Sequence, residues 1–448
     1  MDYFGRLSYA FDSKYLAEFV WRYDGTYIFD PAGKQFGFFP GISLGYRISN
    51  ENFWRDNVNF INEMKIRGSW GKTGNDRIDP YQYLTTYGYN GTYVFNQNVL
   101  QQTLAATRIL NEGVTWEVAS QSNIGFDAQL LNDKLSISAD YFYNLRTNIL
   151  AYRNASVPGS AGLSLPQQNI GEVVNKGFEA QLAYRNNIGQ LRYQVAANGA
   201  FARNHIKFWD ETPGVPDYQK STGNPMNARL YYQAIGVFAD QAAVDKYAHW
   251  TGARPGDIIF KDANNDGTID GKDMVRSNKT TIPTFTGGFS LDLQFKNFYA
   301  TVLFQGAAGA ERSYRTFSGG PGVGNFMYNL VKDRWTPEHP SAVNPRVWER
   351  GGAYWMTDGE PNNTYFVRSS DYVRLKNFEI GYDLSPKYIK NLGIQALRVY
   401  VSGLNFLTFT KMTDFDPESP DDAPGSIWVN SEVYPLNKTT NVGLSVTF

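Results

Sequence analysis

Asn441-Val442-Gly443-Leu444-Ser445-Val446-Thr447-Phe448 is a strict alternation of small or polar residues with apolar ones, stopping on an aromatic carboxyl terminus. Successive side chains of a strand point to opposite faces, so Val442, Leu444, Val446 and Phe448 share one face. Asn441, Gly443, Ser445 and Thr447 share the other, which can line water. A soluble protein that ended this way would offer an apolar edge to aggregation. A closed barrel in a membrane removes the edge and sets the apolar face against lipid.

The same alternation recurs along the chain. Tyr3, Gly5, Leu7, Tyr9 and Phe11 form one face. After Asp12-Ser13-Lys14, Tyr15, Ala17, Phe19, Trp21 and Tyr23 oppose Leu16, Glu18, Val20, Arg22 and Asp24. Leu135, Ile137, Ala139, Tyr141 and Tyr143 oppose Ser136, Ser138 and Asp140; Phe289, Leu291, Leu293 and Phe295 oppose Ser290, Asp292, Gln294 and Lys296. Across a turn at Lys296-Asn297, Phe298, Ala300, Val302 and Phe304 continue the pattern, and Leu397, Val399 and Val401 oppose Arg398, Tyr400 and Ser402. These strands run about nine to fifteen residues, where globular strands average about five or six. A tilted membrane strand needs about 9–11.

Connections alternate in length. Tight turns fall near 12–14, 132–133, 186–190 and 296–297, medium ones near 50–61 and 385–394, and long connections near 74–115, 147–174, 205–280, 311–364 and 408–436. Short turns on one side and long loops on the other are the outer-membrane arrangement, with the long loops outside the cell. In a compact soluble domain, loops of that length would count against the assignment. About thirteen spanning strands are read, the first and last both descending toward the short-turn side. Single-chain bacterial barrels have an even strand number. The expectation is therefore at least one further strand upstream, unless a segment such as 230–238 also spans.

Composition agrees. The 448 residues carry 42 Lys+Arg against 43 Asp+Glu, a balance that argues against nucleic acid as the main partner. No cysteine is present, which excludes a disulfide framework or a thiolate metal site. Aromatics reach 16% while no stretch approaches 18 uninterrupted apolar residues, so helical spans are excluded and interfacial girdles of rings are expected. Met1-Asp2-Tyr3 leads straight into strand-like sequence with no signal peptide, so a targeting segment is expected outside these residues.

Asn111-Glu112-Gly113-Val114-Thr115-Trp116-Glu117 followed by Gln121-Ser122-Asn123-Ile124-Gly125-Phe126-Asp127 resembles the SusC/RagA group of TonB-dependent outer-membrane transporters. So do Asn169-Ile170-Gly171-Glu172 with Asn175-Lys176-Gly177-Phe178-Glu179, and Gly256-Asp257-Ile258 leading into 262–273. Further matches, in order, are Arg334-Trp335-Thr336-Pro337-Glu338, Tyr372-Val373-Arg374-Leu375-Lys376-Asn377, Asn405-Phe406, Asp416-Pro417-Glu418 and the Phe448 terminus. The resemblance implies a barrel of about 22 strands with an N-terminal plug, in a Bacteroidetes-type outer membrane, lidded by a SusD-like surface lipoprotein and driven by the TonB complex. The fold class expected for this chain is all-β, the C-terminal 13–14 strands of that antiparallel transmembrane β-barrel. Residues 1–448 then form one barrel portion, 205–280 a long extracellular loop region, and the plug lies outside the chain. Phe448 is the expected assembly signal.

One stretch carries chemistry of its own. In 262–273, Asp262, Asn264, Asp266, Thr268 (backbone), Asp270 and Asp273 supply oxygens at positions 1, 3, 5, 7, 9 and 12, with Gly267 at position 6. That spacing matches a Ca²⁺ loop, because hard Ca²⁺ takes six to eight oxygens and alternating ligands let the backbone wrap the ion. Position 12 is Asp where an EF-hand has Glu, and the flanks read as extended; the competing reading is an Asx-rich turn satisfied by its own backbone. Bound Ca²⁺ would be structural.

Asp414, Asp416, Glu418, Asp421 and Asp422 form an acidic run expected to be a solvated loop. Trp250, Tyr354, Trp355 and Trp428 could stack on sugar rings or peptide side chains, though loop packing is the commoner fate of any one ring. Catalysis finds no support: His205, His249 and His339 lack metal-ligand spacing, and neither a Gly-x-Ser-x-Gly elbow nor a P-loop occurs. No substrate-binding residue is assigned. The expected function is TonB-dependent import of a bulky oligosaccharide or peptide through a barrel set in outer-membrane lipid. The alternatives are a passive porin, a siderophore-type receptor, and a surface glycan-binding β-protein or hydrolase.

Overall fold

The computed structural model describes residues 1–95, 99–108, 110–153, 167–313, 317–318, 325–326, 328, 332–340, 343–347, 356–357, 360–389, 393–413, 415–419 and 436–448. They fall into two compact units. The first comprises Met1–Asn186, Gln194–Val215 and Ser221–Met226; the second comprises Asn187–Tyr193, Pro216–Lys220 and Asn227–Phe448.

The first unit carries eight long strands, β1 (Asp2–Phe11), β2 (Tyr15–Gly25), β3 (Phe36–Arg47), β4 (Ile61–Asn75), β5 (Glu117–Leu130), β6 (Leu135–Ala151), β7 (Gln168–Ile188) and β8 (Leu191–Phe208). The second carries five, β9 (Phe285–Phe295), β10 (Phe298–Ala308), β11 (Tyr372–Asp383), β12 (Ala396–Thr410) and β13 (Thr439–Thr447). Within each unit every strand neighbours the next in the chain, an up-and-down meander. The total, eight and five, is the thirteen expected from the alternation.

The turns show why this order forms. Asp12 and Ser13 both sit at φ +51°, and Leu131, Asn132 and Asp133 at +57° to +60°. Positive φ at consecutive turn residues gives the connection the twist of the strands it joins. Three strands outrun the expected nine to fifteen residues: β6, β7 and β8 have 17, 21 and 18. Their ends on the long-loop side bury Ile149, Val173 and Ile206 against Trp209 and Met226. A small core there keeps the pairing going past the membrane-spanning length.

In β13, Val442 lies opposite Val401 and Leu444 opposite Val399, while Gly443 lies opposite Tyr400. The Tyr400 ring fills the space above Gly443, where a Cβ would come within 2.1 Å of it. Tyr299 covers Gly381 and Phe378 covers Gly403 in the same way. An aromatic ring laid over a glycine restores packing that the missing side chain would otherwise forfeit. The apolar face stays open, with Val442 78% and Phe448 79% exposed.

The long connections are not structureless. Thr86–Phe95 and Val99–Arg108 form a hairpin. Leu230–Tyr232 pairs with Met274–Arg276, and Ala234–Val237 with Ile258–Phe260. The segment 230–238 therefore stays within its loop; strands of three and four residues are far below a membrane span. Tyr232, Ile258, Phe260, Ile269 and Phe366 give this region a core of its own.

Candidate functional site

In the first unit the face opposite the apolar one is laced with charge. Strand register sets Arg67 opposite Gly125, and Gly125 opposite Asp140. Arg67 Nε donates to Asp127 Oδ2 at 3.1 Å and Nη2 to Asp140 Oδ2 at 2.6 Å, while Ser138 Oγ donates to Asp127 Oδ1 at 2.8 Å. Gly125 makes room: a Cβ there would meet Asp140 Oδ1 at 2.5 Å. Arg6 pairs with Glu18, which also accepts from Ser8 Oγ at 3.1 Å, and Arg146 Nε donates to Glu117 at 2.8 Å. Half-exposed pairs of this kind contribute at most about 1 kcal/mol each. Their consequence is a hydrated wall whose charges are largely neutralised in place. A cavity of about 990 Å³ lies against it.

The motifs near 111–117 and 169–172 act as latches. Asn111 donates from Nδ2 to the Gln167 carbonyl at 2.6 Å and accepts from the Gly113 amide at 2.9 Å. Asn169 accepts from the Thr115 amide at 3.0 Å and donates to the Thr115 and Asn148 carbonyls at 2.8 and 2.7 Å. Trp116 packs edge-on against Phe29 and Phe39, and Val114 is fully buried beside them. Sequence reading recognised these residues as a family signature; their work here is to tie loop backbone to strand ends.

In the second unit two other motifs meet. Gly256 has φ +85° and the Trp335 ring lies over it, so a Cβ would approach the ring to 2.5 Å. Asp257, 1% exposed, pairs with Arg346 Nε at 2.6 Å and accepts from the Arg254 amide at 3.0 Å. Burial pushes the Asp257 carboxyl above its ordinary value despite Arg346. Trp335 Nε1 donates to the Ala239 carbonyl at 3.0 Å.

The acidic run departs from the solvated loop expected of it. Asp416 Oδ1 lies 2.6 Å from Arg374 Nη2, Glu418 Oε2 lies 2.6 Å from Arg374 Nη1, and Glu418 Oε1 lies 3.0 Å from Lys376 Nζ. Arg374 is 2% exposed. Two motifs 42 residues apart thus close into one buried ion cluster, which a local reading of the acids cannot see. Asp414, Asp421 and Asp422 lie outside the described residues, as do Tyr354, Trp355 and Trp428. Trp250 packs edge-on against Tyr232, ring centroids 5.1 Å apart, as part of the loop core.

The 262–273 segment is a tight loop knit by side chains. Asp262 accepts from the Asp266 and Gly267 amides at 3.3 and 2.9 Å, Asp266 from the Thr268 amide at 2.9 Å, and Asn264 from the Asp266 amide at 3.1 Å. Asp273, fully buried, accepts from the Ala263 and Asp270 amides at 2.8 Å, and Asp270 accepts from the Lys272 amide at 2.7 Å. The Thr268 amide, then Asn264, hold Asp266 below the ordinary carboxylate range. Among the described residues, no three carboxylates or imidazoles gather at metal-binding distances. The oxygens of this loop form a mixed set of carboxylate, amide and backbone groups.

A family described as "TonB dependent receptor-like, beta-barrel" matches residues 2–406. The chain belongs to this family. It is 32% identical to TonB-dependent receptor P3 of Formosa agariphila over 99% of its length, and 26% identical to TonB-dependent receptor SusC of Bacteroides thetaiotaomicron over 100%. It covers 45% and 44% of those two proteins, so the chain spans less than half the length of these curated relatives. Among solved structures, the RagAB peptide transporter superposes with a TM-score of 0.72 at 21% identity, over 100% of this chain and 47% of that one, a likeness of fold. These relatives carry receptor and transporter names rather than enzyme names. TonB-dependent barrels are outer-membrane proteins, so the polar face lines the lumen and the apolar face meets lipid.

Proposed function

We propose that this chain forms the wall and outer loops of an energy-coupled importer of the SusC/RagA type, admitting a bulky oligosaccharide or peptide. The ion-paired, hydrated face running over β1–β6 carries the reading: it suits a lumen traversed by a large polar solute. In this proposal the long connections face the cell surface and dock a SusD-like lipoprotein lid, and TonB supplies the work that opens the lumen. A passive porin would share the wall but not the coupling. Cells expressing the native protein should take up their oligosaccharide or peptide substrate only while TonB is present. Uptake that continues undiminished without TonB would replace this reading with the porin.

The 262–273 loop belongs to the same proposal as a structural Ca²⁺ site. Its donors are all oxygens, the preference of a hard cation. A carboxylate oxygen that accepts one backbone N–H keeps a second lone pair for a metal, so the loop's own hydrogen bonds leave ligands to spare. Asp262, Asn264, Asp266, Thr268, Asp270 and Asp273 would hold the ion and stiffen the loop core around Ile269. Metal analysis of purified protein should find about one Ca²⁺ per chain at this site, lost in an Asp262→Ala/Asp266→Ala double variant. Unchanged calcium content in that variant would sink the site.

A further inference from the structure

The lumen face of β5, β6 and β7 carries a short ladder of amides. Gln121 lies directly opposite Asn144, and Asn144 directly opposite Asn175. Directly opposed residues on one face have their Cβ atoms about 4.5–5.5 Å apart, so the three side chains form a row about 10 Å long. Neither Asn144 nor Asn175 makes a side-chain hydrogen bond among the described residues, and Gln121 reaches only Thr73 Oγ1, at 3.4 Å. All three line the cavity of about 990 Å³. The row stands four residues into β5 from Glu117 and nine into β6 from Leu135, toward the long-loop end of the strands.

One rung away lies an aromatic ring. Phe142 is opposite Asn123 on one side and Gly177 on the other, and it too lines the cavity. Gly177 has no side chain, and the Phe142 ring rests where its Cβ would be, 2.6 Å from that position. The charged groups around the cavity balance, with Asp2, Glu18 and Glu179 against Arg6, Arg22 and Lys72. Arg6 is held by Glu18, and Arg22 by Asp24 at 3.0 Å. What this wall offers a ligand is therefore uncharged: amides that donate and accept at once, beside the flat face of a ring.

We propose that Gln121, Asn144, Asn175 and Phe142 form a subsite for a neutral oligosaccharide in the lumen wall. This rests on the importer reading above and names its substrate class. Amide side chains present paired donors and acceptors to adjacent hydroxyls, and an aromatic face takes the apolar C–H side of a sugar ring. A charged peptide would find its charges unanswered here, because the local ions already have partners.

The test uses the native protein in outer-membrane vesicles. One arm offers a pool of neutral oligosaccharides from partial hydrolysis of plant and algal polysaccharides. The other offers a size-matched tryptic peptide pool, and captured material is identified by mass spectrometry. Wild-type vesicles should retain oligosaccharides above the peptide background. Asn144→Ala/Asn175→Ala should lower that retention about tenfold, the loss of two modest hydrogen bonds, and Asn144→Gln/Asn175→Gln should restore part of it. Heat-modifiable migration in detergent gels checks that each variant is folded. Retention of peptides instead, retention of neither pool, or oligosaccharide retention indifferent to both amides would overturn the subsite. TonB-dependent uptake in whole cells, measured on the same variants, separates the two readings: uptake that needs TonB but ignores the amides leaves the importer standing and removes only the subsite.

Discussion

Arg374→Met should destabilise the protein by about 3–5 kcal/mol, the cost of leaving a buried charge without its partner. Asp416 and Glu418 each lie 2.6 Å from the Arg374 guanidinium, their side chains 9% and 16% exposed. With the guanidinium gone, Lys376 still reaches Glu418 at 3.0 Å, but no cation is left beside Asp416. The midpoint of thermal unfolding in detergent should fall clearly below wild type. Adding Asp416→Asn and Glu418→Gln to Arg374→Met should recover part of the loss, because replacing every charge of a buried cluster is far milder than orphaning one. A single variant that unfolds at the wild-type temperature would mean the cluster is solvated after all.

The second large effect belongs to Gly177→Ala. A Cβ at this position would lie 2.2 Å from the Phe201 carbonyl oxygen and 2.6 Å from the Phe142 ring. The ring can turn away; the backbone oxygen cannot, so β7 and β8 must separate locally. Overpacking of this kind costs about 1–3 kcal/mol, and here it also shifts the ring proposed to stack on sugar. Gly177→Ala should reduce the yield of folded barrel in the outer membrane, read as the heat-modifiable band. Gly214→Ala, in a loop where a Cβ would have open space around it, is the comparison for handling and expression. Equal yields of the two variants would show that the close approach at Gly177 does not constrain the sheet.

Much of the fold was legible in the sequence because a strand's period is two and a membrane barrel must place one polarity on each face. The residues of β2, β9 and β13 announce themselves in this way, and Asp12-Ser13 marks its own turn. Ion clusters were not legible. Arg67, Asp127 and Asp140 come from three strands, and only the register of β4, β5 and β6 brings them within reach of one another. Asp416 and Glu418 look like any hydrophilic loop until Arg374 arrives from β11. The lengths of β6 to β8 were underestimated for a related reason: Ile149, Val173 and Ile206 extend the strands by packing with one another, a contact between segments. The amide ladder was half visible, since Gln121, Asn144 and Asn175 each fall on the polar parity of their strands, yet nothing local aligns them into one row.

The account stands or falls on the two faces of the sheet, and the chain's lack of cysteine makes them directly measurable. Single cysteines placed in turn at 441 to 446 in β13 and at 141 to 146 in β6 would be labelled in intact outer membranes. One reagent is a water-soluble maleimide and the other a maleimide carried by lipid. The two strands should give alternating patterns: positions 443, 445, 142 and 144 react with the aqueous reagent, and 442, 444, 141 and 143 with the lipid-borne one. Uniform aqueous labelling along both strands would contradict a membrane barrel and return the chain to the surface of a soluble β-protein.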